Sequence, residues 1–159
     1  MKKEETVDYH IKATWHAISR MYNQGGLEKG ITASTGFVLL NIDIENGTPA
    51  TKIAPLLGME ARSLTRMLKS MEENGLIYKQ PDPIDKRSVR IFLTDEGKEK
   101  REFSRLGVIF FNEKVRERIN PSDLKGFFKV MTSIINVIEE NKNLYQSELL
   151  EYLENEQSH

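Results

Sequence analysis

Residues 48–97, TPATKIAPLLGMEARSLTRMLKSMEENGLIYKQPDPIDKRSVRIFLTDEG, decide the fold. They read as a short helix, a turn, a second helix, and two strands joined by a charged loop. Thr48 is expected to cap a helix that begins at Pro49, where a missing N–H costs nothing. Ile53, Leu56 and Leu57 give that helix one apolar face and Gly58 ends it. Pro55 falls late in it, removes a hydrogen bond to Thr51 and is expected to bend it. The next helix, from about Glu60 to Asn74, repeats apolar residues at Leu64, Met67, Leu68 and Met71, the spacing of one helical face. Asn74-Gly75 stops it. Off that stripe lie Arg62, Ser63, Thr65, Arg66 and Lys69, donors of the kind that reach phosphates and base edges.

Beyond Gly75, Leu76–Tyr78 and Val89–Leu93 read as strands, and the Pro81–Ser88 loop between them carries Asp82, Asp85, Lys86 and Arg87. A helix-turn-helix followed by a basic-tipped hairpin is a winged helix, a shape that binds DNA. The stretch LLGMEARSLTRMLKSMEENGLI, then DKR at 85–87 and LTDEG at 93–97, resembles the multiple-antibiotic-resistance regulator (MarR) family. Its specific part is Asp-x-Arg followed by Leu-Thr-x-x-Gly. The resemblance implies a mainly α fold with a small β-hairpin wing, in which a winged helix-turn-helix joins a helical dimerisation region. It also implies a cytoplasmic homodimer bound to an inverted-repeat operator in double-stranded DNA, most simply as a repressor. In the wing, Arg87 is expected to enter the minor groove and Asp85 to orient it, with Lys86 and Arg90 adding electrostatic support.

Working outward, Val7 to Gln24 form an amphipathic helix with Ile11, Trp15, Ile18 and Tyr22 on one stripe, broken by Gly25-Gly26 and Gly30. Thr32 caps the next helix, in which Phe37, Leu40 and Ile44 keep helical spacing up to Asn46-Gly47. Thr94 caps a long helix whose middle, Leu106–Phe111, is apolar almost all round and so needs cover on several sides. Asn120-Pro121-Ser122-Asp123 caps a last helix expected to run past Asn143 to Leu153. One winged helix cannot bury all of these faces, so a two-fold dimer is the economical arrangement. The expected organisation is a single domain over residues 1–159. Residues 31–94 form the DNA-binding part, and residues 7–24 and 95–153 the dimerisation part.

Net charge is −1 over 159 residues. Its distribution says more: residues 52–90 hold eight lysines and arginines against five acids, a local +3 that leaves −4 for the remainder. An acidic remainder limits indiscriminate adhesion to DNA while one face stays basic. No cysteine is present, which excludes disulfides, thiolate metal sites and thiol redox sensing. No apolar run approaches the ~18 residues a membrane span needs, and no secretory signal is visible.

His10 and His16 are six residues apart and fall on different faces of a helix, so no metal site or cofactor is expected. No catalytic constellation occurs, and the reading is of a non-enzyme. The resemblance further implies a crevice for small aromatic or amphipathic acids, lined here by Trp15, Ser19, Tyr22, Phe37 and Leu40 with Phe103 and Phe110. The same residues also read as core. The rival reading of the whole chain is a winged helix kept as a protein-interaction module without DNA specificity.

Overall fold

The computed structural model describes residues 2–85, 88–140 and 148–157. After a 3₁₀ turn at Lys3–Glu5, the order is α1 (Val7–Gly26), a second 3₁₀ turn, α2 (Ala33–Leu40), β1 (Thr48–Pro49), α3 (Ala50–Leu56) and α4 (Ala61–Glu73). Then come β2 (Ile77–Pro81), β3 (Val89–Leu93), α5 (Asp95–Arg116), α6 (Pro121–Glu140) and α7 (Glu148–Gln157). The chain divides into two units, Met1–Phe110 and Phe111–His159.

The core of the first unit is drawn from residues 38–93. Val38, Leu39 and Ile42 meet Ile53 and Ala54, the stripe Leu64, Leu68 and Met71, and Leu76, Ile77, Ile91 and Leu93 from the sheet. Met67 packs at its margin. Full burial of each large side chain is worth about 1.5–3 kcal/mol, so this cluster holds α3, α4 and the sheet together. Helices α3 and α4 end alike. The Gly58 N–H donates to Pro55 O (3.2 Å) and the Met59 N–H to Ala54 O (3.0 Å), while Gly75 donates to Glu72 O (3.0 Å) and Leu76 to Met71 O (2.9 Å). Each glycine is left-handed, at φ +59° and +70°. These are paired Schellman closures, and they fix the angle at which the chain leaves each helix.

The sheet has three antiparallel strands in the order β1-β3-β2, with Thr48 opposite Ile91 and Ile77 opposite Leu93. Here Thr48 departs from expectation, since it caps nothing. The residue before a proline is pushed out of the helical region, and Pro49, at ψ 131°, is extended and precedes the helix. Thr48 instead donates to Asn41 O (3.2 Å) and accepts the Asp43 N–H (2.9 Å). It becomes an edge strand, where the proline's missing N–H leaves no gap in the ladder. Pro55 does lie inside α3, but Leu56 beside it is 63% exposed and does not share the buried face of Ile53.

Three other boundaries move. Helix α1 runs on through Gly25 and Gly26, and the left-handed turn falls at Gly30 (φ +61°). Helix α2 is capped by Thr32 Oγ1, which accepts the Thr35 N–H (3.1 Å), but it stops at Leu40. There the Asn41 side chain donates back to Phe37 O, and Asp43 Oδ1 takes the N–H groups of Glu45 and Asn46, so Ile44 stands exposed in a loop. At the C-terminal end α6 closes at Glu140 and α7 opens at Glu148. The expected continuity through 141–147 lies outside the described residues.

Helix α5 begins as read, with Thr94 Oγ1 accepting the Gly97 N–H (3.0 Å). The same hydroxyl donates to Gly75 O (2.6 Å), and the Thr94 N–H donates to Leu76 O (3.1 Å). Thr94 thus ties the start of α5 to the corner between α4 and β2. Gly97 is required there, because a Cβ would fall 1.9 Å from Leu76 O. In the second unit, Asn120 Oδ1 accepts the Asp123 N–H (2.9 Å) and caps α6, and none of α6's residues is buried. Gly97→Ala is expected to destabilise the protein by about 2–3 kcal/mol, because backbone and not a yielding side chain opposes the methyl. Urea unfolding that shows less than about 0.5 kcal/mol would contradict this tight corner.

Candidate nucleic-acid interface

Helix α4 separates its two faces sharply. Leu64, Leu68 and Met71 are 3–4% exposed, while Arg62, Ser63, Thr65, Arg66 and Lys69 all face solvent. Their surroundings differ. Lys69 approaches Glu73 at 3.8 Å. The Thr65 hydroxyl donates to Ala61 O (2.8 Å), so its one proton is already engaged. Arg62 and Arg66 stand one turn apart with no ion pair among the described residues. Elsewhere the chain pairs its helical cations locally: Lys98 with Asp95, Lys100 with Glu96, Arg105 with Glu102, Lys114 with Glu117. Like charges at i and i+4 cost a few tenths of a kcal/mol. The α4 face therefore carries positive charge that the protein does not neutralise, which is what an anionic partner requires.

The wing is built around a residue that the sequence pattern does not single out. Asp82 is 5% exposed; its Oδ1 accepts the N–H groups of Ile84 (2.9 Å) and Asp85 (3.1 Å). Its own N–H donates to Ser88 O (2.9 Å), and the Ser88 N–H donates to Asp85 O (2.8 Å). The Asp85 amide above all, then that of Ile84 and the Arg90 guanidinium, hold the Asp82 carboxyl below the ordinary carboxylate range. An aspartate followed by free N–H groups two and three residues on is the pattern of an Asx turn, and P-D-P-I-D carries that signal. Ile84 is turned outward, 90% exposed.

Arg90, expected to support DNA binding electrostatically, is turned inward. Its Nε and Nη2 donate to Asp82 Oδ2 (3.0 and 2.9 Å), and Nη1 donates to Asn46 O (3.1 Å) and Gly47 O (3.3 Å). Those carbonyls lie more than forty residues earlier in the chain, beyond the reach of a local reading. Lys86 and Arg87 lie outside the described residues, and with them the expected relation of Asp85 to Arg87.

Of the expected crevice residues, the structure brings three aromatics together. Phe37 on α2 sits 5.6 Å from Trp15 and 5.9 Å from Tyr22, ring centre to ring centre, both on α1. Ser19 and Leu40 are half-buried. Burial raises the Tyr22 phenol above its ordinary pKa. Phe103 lines a different concavity, a groove of about 500 Å³ with Lys29, Ile31, Glu96, Glu99, Lys100 and Leu106. A ring nitrogen of His10 is hydrogen-bonded to Glu4 O (2.7 Å), and His16 is exposed. Among the described residues no three His, Asp or Glu side chains cluster as a metal site. None of the described helices is long and apolar enough to cross a membrane.

Comparison with known proteins agrees with this geometry. Residues 31–89 match the sequence profile of the MarR family. Over 90 residues the chain is 32% identical to the HTH-type transcriptional regulator TtmR of Methylorubrum extorquens (strain PA1), covering 57% of this chain and 46% of that one. The chain thus spans about half the length of that relative. Its fold is that of S. aureus MepR in a DNA complex, with a TM-score of 0.76 at 19% identity, covering 83% of this chain and 98% of that one. It is equally similar to CouR of Rhodococcus jostii RHA1 bound to p-coumaroyl-CoA, with a TM-score of 0.73 at 18% identity, covering 84% and 94%. The family consists of transcription regulators and not of enzymes. With a family-specific profile over the helix-turn-helix and wing and this fold around it, the chain belongs to the MarR family of winged-helix transcriptional regulators.

Proposed function

We propose that the protein is a homodimeric repressor that binds an inverted-repeat operator in double-stranded DNA, α4 lying in the major groove and the wing over the flanking minor groove. The observation that carries this is the un-neutralised pair Arg62 and Arg66 on the exposed face of α4. Arginine forks onto guanine or phosphate, and a good base contact is worth about 1–3 kcal/mol. Ser63, Thr65 and Lys69 border them as phosphate contacts, and Arg87 of the wing is the minor-groove group. The fold neighbour MepR is a DNA complex, which supports the same reading. A duplex selected from a random-sequence pool should bind and weaken steeply with salt. Arg66→Ala and Arg62→Ala should each lower affinity about tenfold in a gel-shift titration without changing the melting temperature. Undiminished binding by both variants, or selection of no sequence at all, would favour an interaction module instead.

The dimer follows from apolar surface. Phe127, Phe128, Val130, Ile135, Val137 and Ile138 of α6 are all more than half exposed in the single chain. So are Leu106 and Phe110 of α5. A solvated face of this kind is the signature of an association surface. In this reading residues 31–94 are the DNA-binding part, and 7–24 with 95–153 pair with a second copy. The two α4 helices then meet half-sites about one helical turn, ~10 base pairs, apart. Ile135→Glu is expected to give aggregated or unfolded protein. A stable soluble monomer by sedimentation would overturn the pairing.

Release is assigned to a small aromatic or amphipathic acid at the Trp15–Phe37–Tyr22 cluster, between α1 and α2. CouR, a fold neighbour, is itself bound to an aromatic acyl-CoA. An effector shifts the equilibrium only by its differential affinity for the two states, typically about 1–3 kcal/mol. Trp15 is the sole tryptophan. Its emission should change, and operator binding fall, at the same concentration of a salicylate-like or fatty acid. Release by peroxide with no response to such acids would reject this regulation.

A further inference from the structure

The base of the wing holds an ion pair directed at the protein itself. Asp82 uses its two oxygens for different tasks: Oδ1 closes the turn at Ile84 and Asp85, and Oδ2 receives the Arg90 fork. The third nitrogen of that guanidinium turns the other way, to the carbonyls of Asn46 and Gly47. Those carbonyls are held in turn. Asp43 Oδ1 accepts the Asn46 N–H (2.7 Å), the Gly47 N–H donates to Asp43 O (3.1 Å), and the Asp43 N–H donates to Thr48 Oγ1 (2.9 Å). Gly47 has φ +62°, and a Cβ there would lie 2.6 Å from Ile91 O, so the loop is pressed onto β3. One side chain therefore joins the wing turn to the loop between α2 and β1.

We propose that Arg90 and Asp82 are positioning residues for DNA binding, a clamp that sets the direction in which the wing leaves the sheet, and that Arg90 is not itself a DNA contact. The proposal rests on the DNA-binding reading above. A two-stranded ribbon has little rigidity of its own. Most of its length here, from Ile77 to Pro81 and from Val89 to Leu93, is fixed by pairing, but the loop beyond depends on Asp82. A planar fork that meets one carboxylate oxygen and two carbonyls is a task for arginine, which the point charge of lysine cannot reproduce.

The clamp gives predictions opposite in sign to simple electrostatics. Removing an acid from a DNA-facing wing should strengthen binding to a polyanion. Asp82→Asn keeps an oxygen for the Ile84 and Asp85 amides but sets an N–H₂ against the guanidinium, so the clamp opens. Affinity for the duplex selected by the wild-type protein is expected to fall about tenfold. Arg90→Lys, which keeps the charge, should lose as much as Arg90→Ala. The double variant Asp82→Asn/Arg90→Ala should be no weaker than either single one, whereas Asp82→Asn and Arg66→Ala should multiply. Hydroxyl-radical footprints should lose protection at the flanks of the site and keep it at the centre. Unchanged or tighter binding by Asp82→Asn, or full affinity in Arg90→Lys, would overturn the clamp. If Asp82→Asn fails to fold, the comparison of Arg90→Lys with Arg90→Ala decides alone. Failure of the wild-type protein to bind any duplex would instead strike the DNA-binding reading.

Discussion

The carbonyl of Leu76 is where the architecture is pinned. It accepts the Thr94 N–H and forbids a side chain at residue 97, while the Leu76 N–H closes α4 on Met71 O. Helix α4, the first strand of the wing and the start of α5 therefore meet at one peptide. Thr94 adds a second tie by bridging Gly75 O and the Gly97 N–H. The orientation of the exposed α4 face is thereby set by backbone contacts, which tolerate little error, and not by packing alone. This is the physical content of the Leu-Thr-x-x-Gly pattern: a leucine in the core, a threonine that both caps and ties, and a glycine where nothing larger fits.

Charge is arranged with the same economy. Cations on α5 are matched within one turn by acids, whereas Arg62 and Arg66 on α4 are not. Arg90 is spent inside the fold, on Asp82 and two carbonyls. The basic balance of residues 52–90 thus overstates what the surface offers, since one of its arginines serves the frame.

Helical repeats and caps were legible from residues a few positions apart. Leu64, Leu68 and Met71 declare their buried face by spacing, Thr32, Thr94 and Asn120 declare helix starts, and Gly58 and Gly75 declare ends. What escaped a local reading depends on distant partners. Thr48 looks like a cap until Ile91 is beside it, and Arg90 looks like a surface cation until Asn46 and Gly47 are brought to it. Helix α2 looked longer because the Asp43 side chain, and not a proline, ends it. In the site, the outward set on α4 followed from periodicity, whereas Asp82 was passed over because its work lies in a turn whose geometry only the fold reveals.

The buried core lies wholly between Val38 and Leu93, and the helices that carry the large exposed apolar faces of α5 and α6 come after it. During synthesis, which proceeds at about 5–20 residues per second with N-terminal parts folding first, that order has a kinetic meaning. The contacts that close the core are mostly between neighbours in sequence, helix to next helix and strand to next strand, a pattern associated with fast folding. Once Gly97 has emerged, the core and its Leu76 corner hold every residue they need. The sticky segments are thus made onto a module already able to close, and their exposure before assembly is brief.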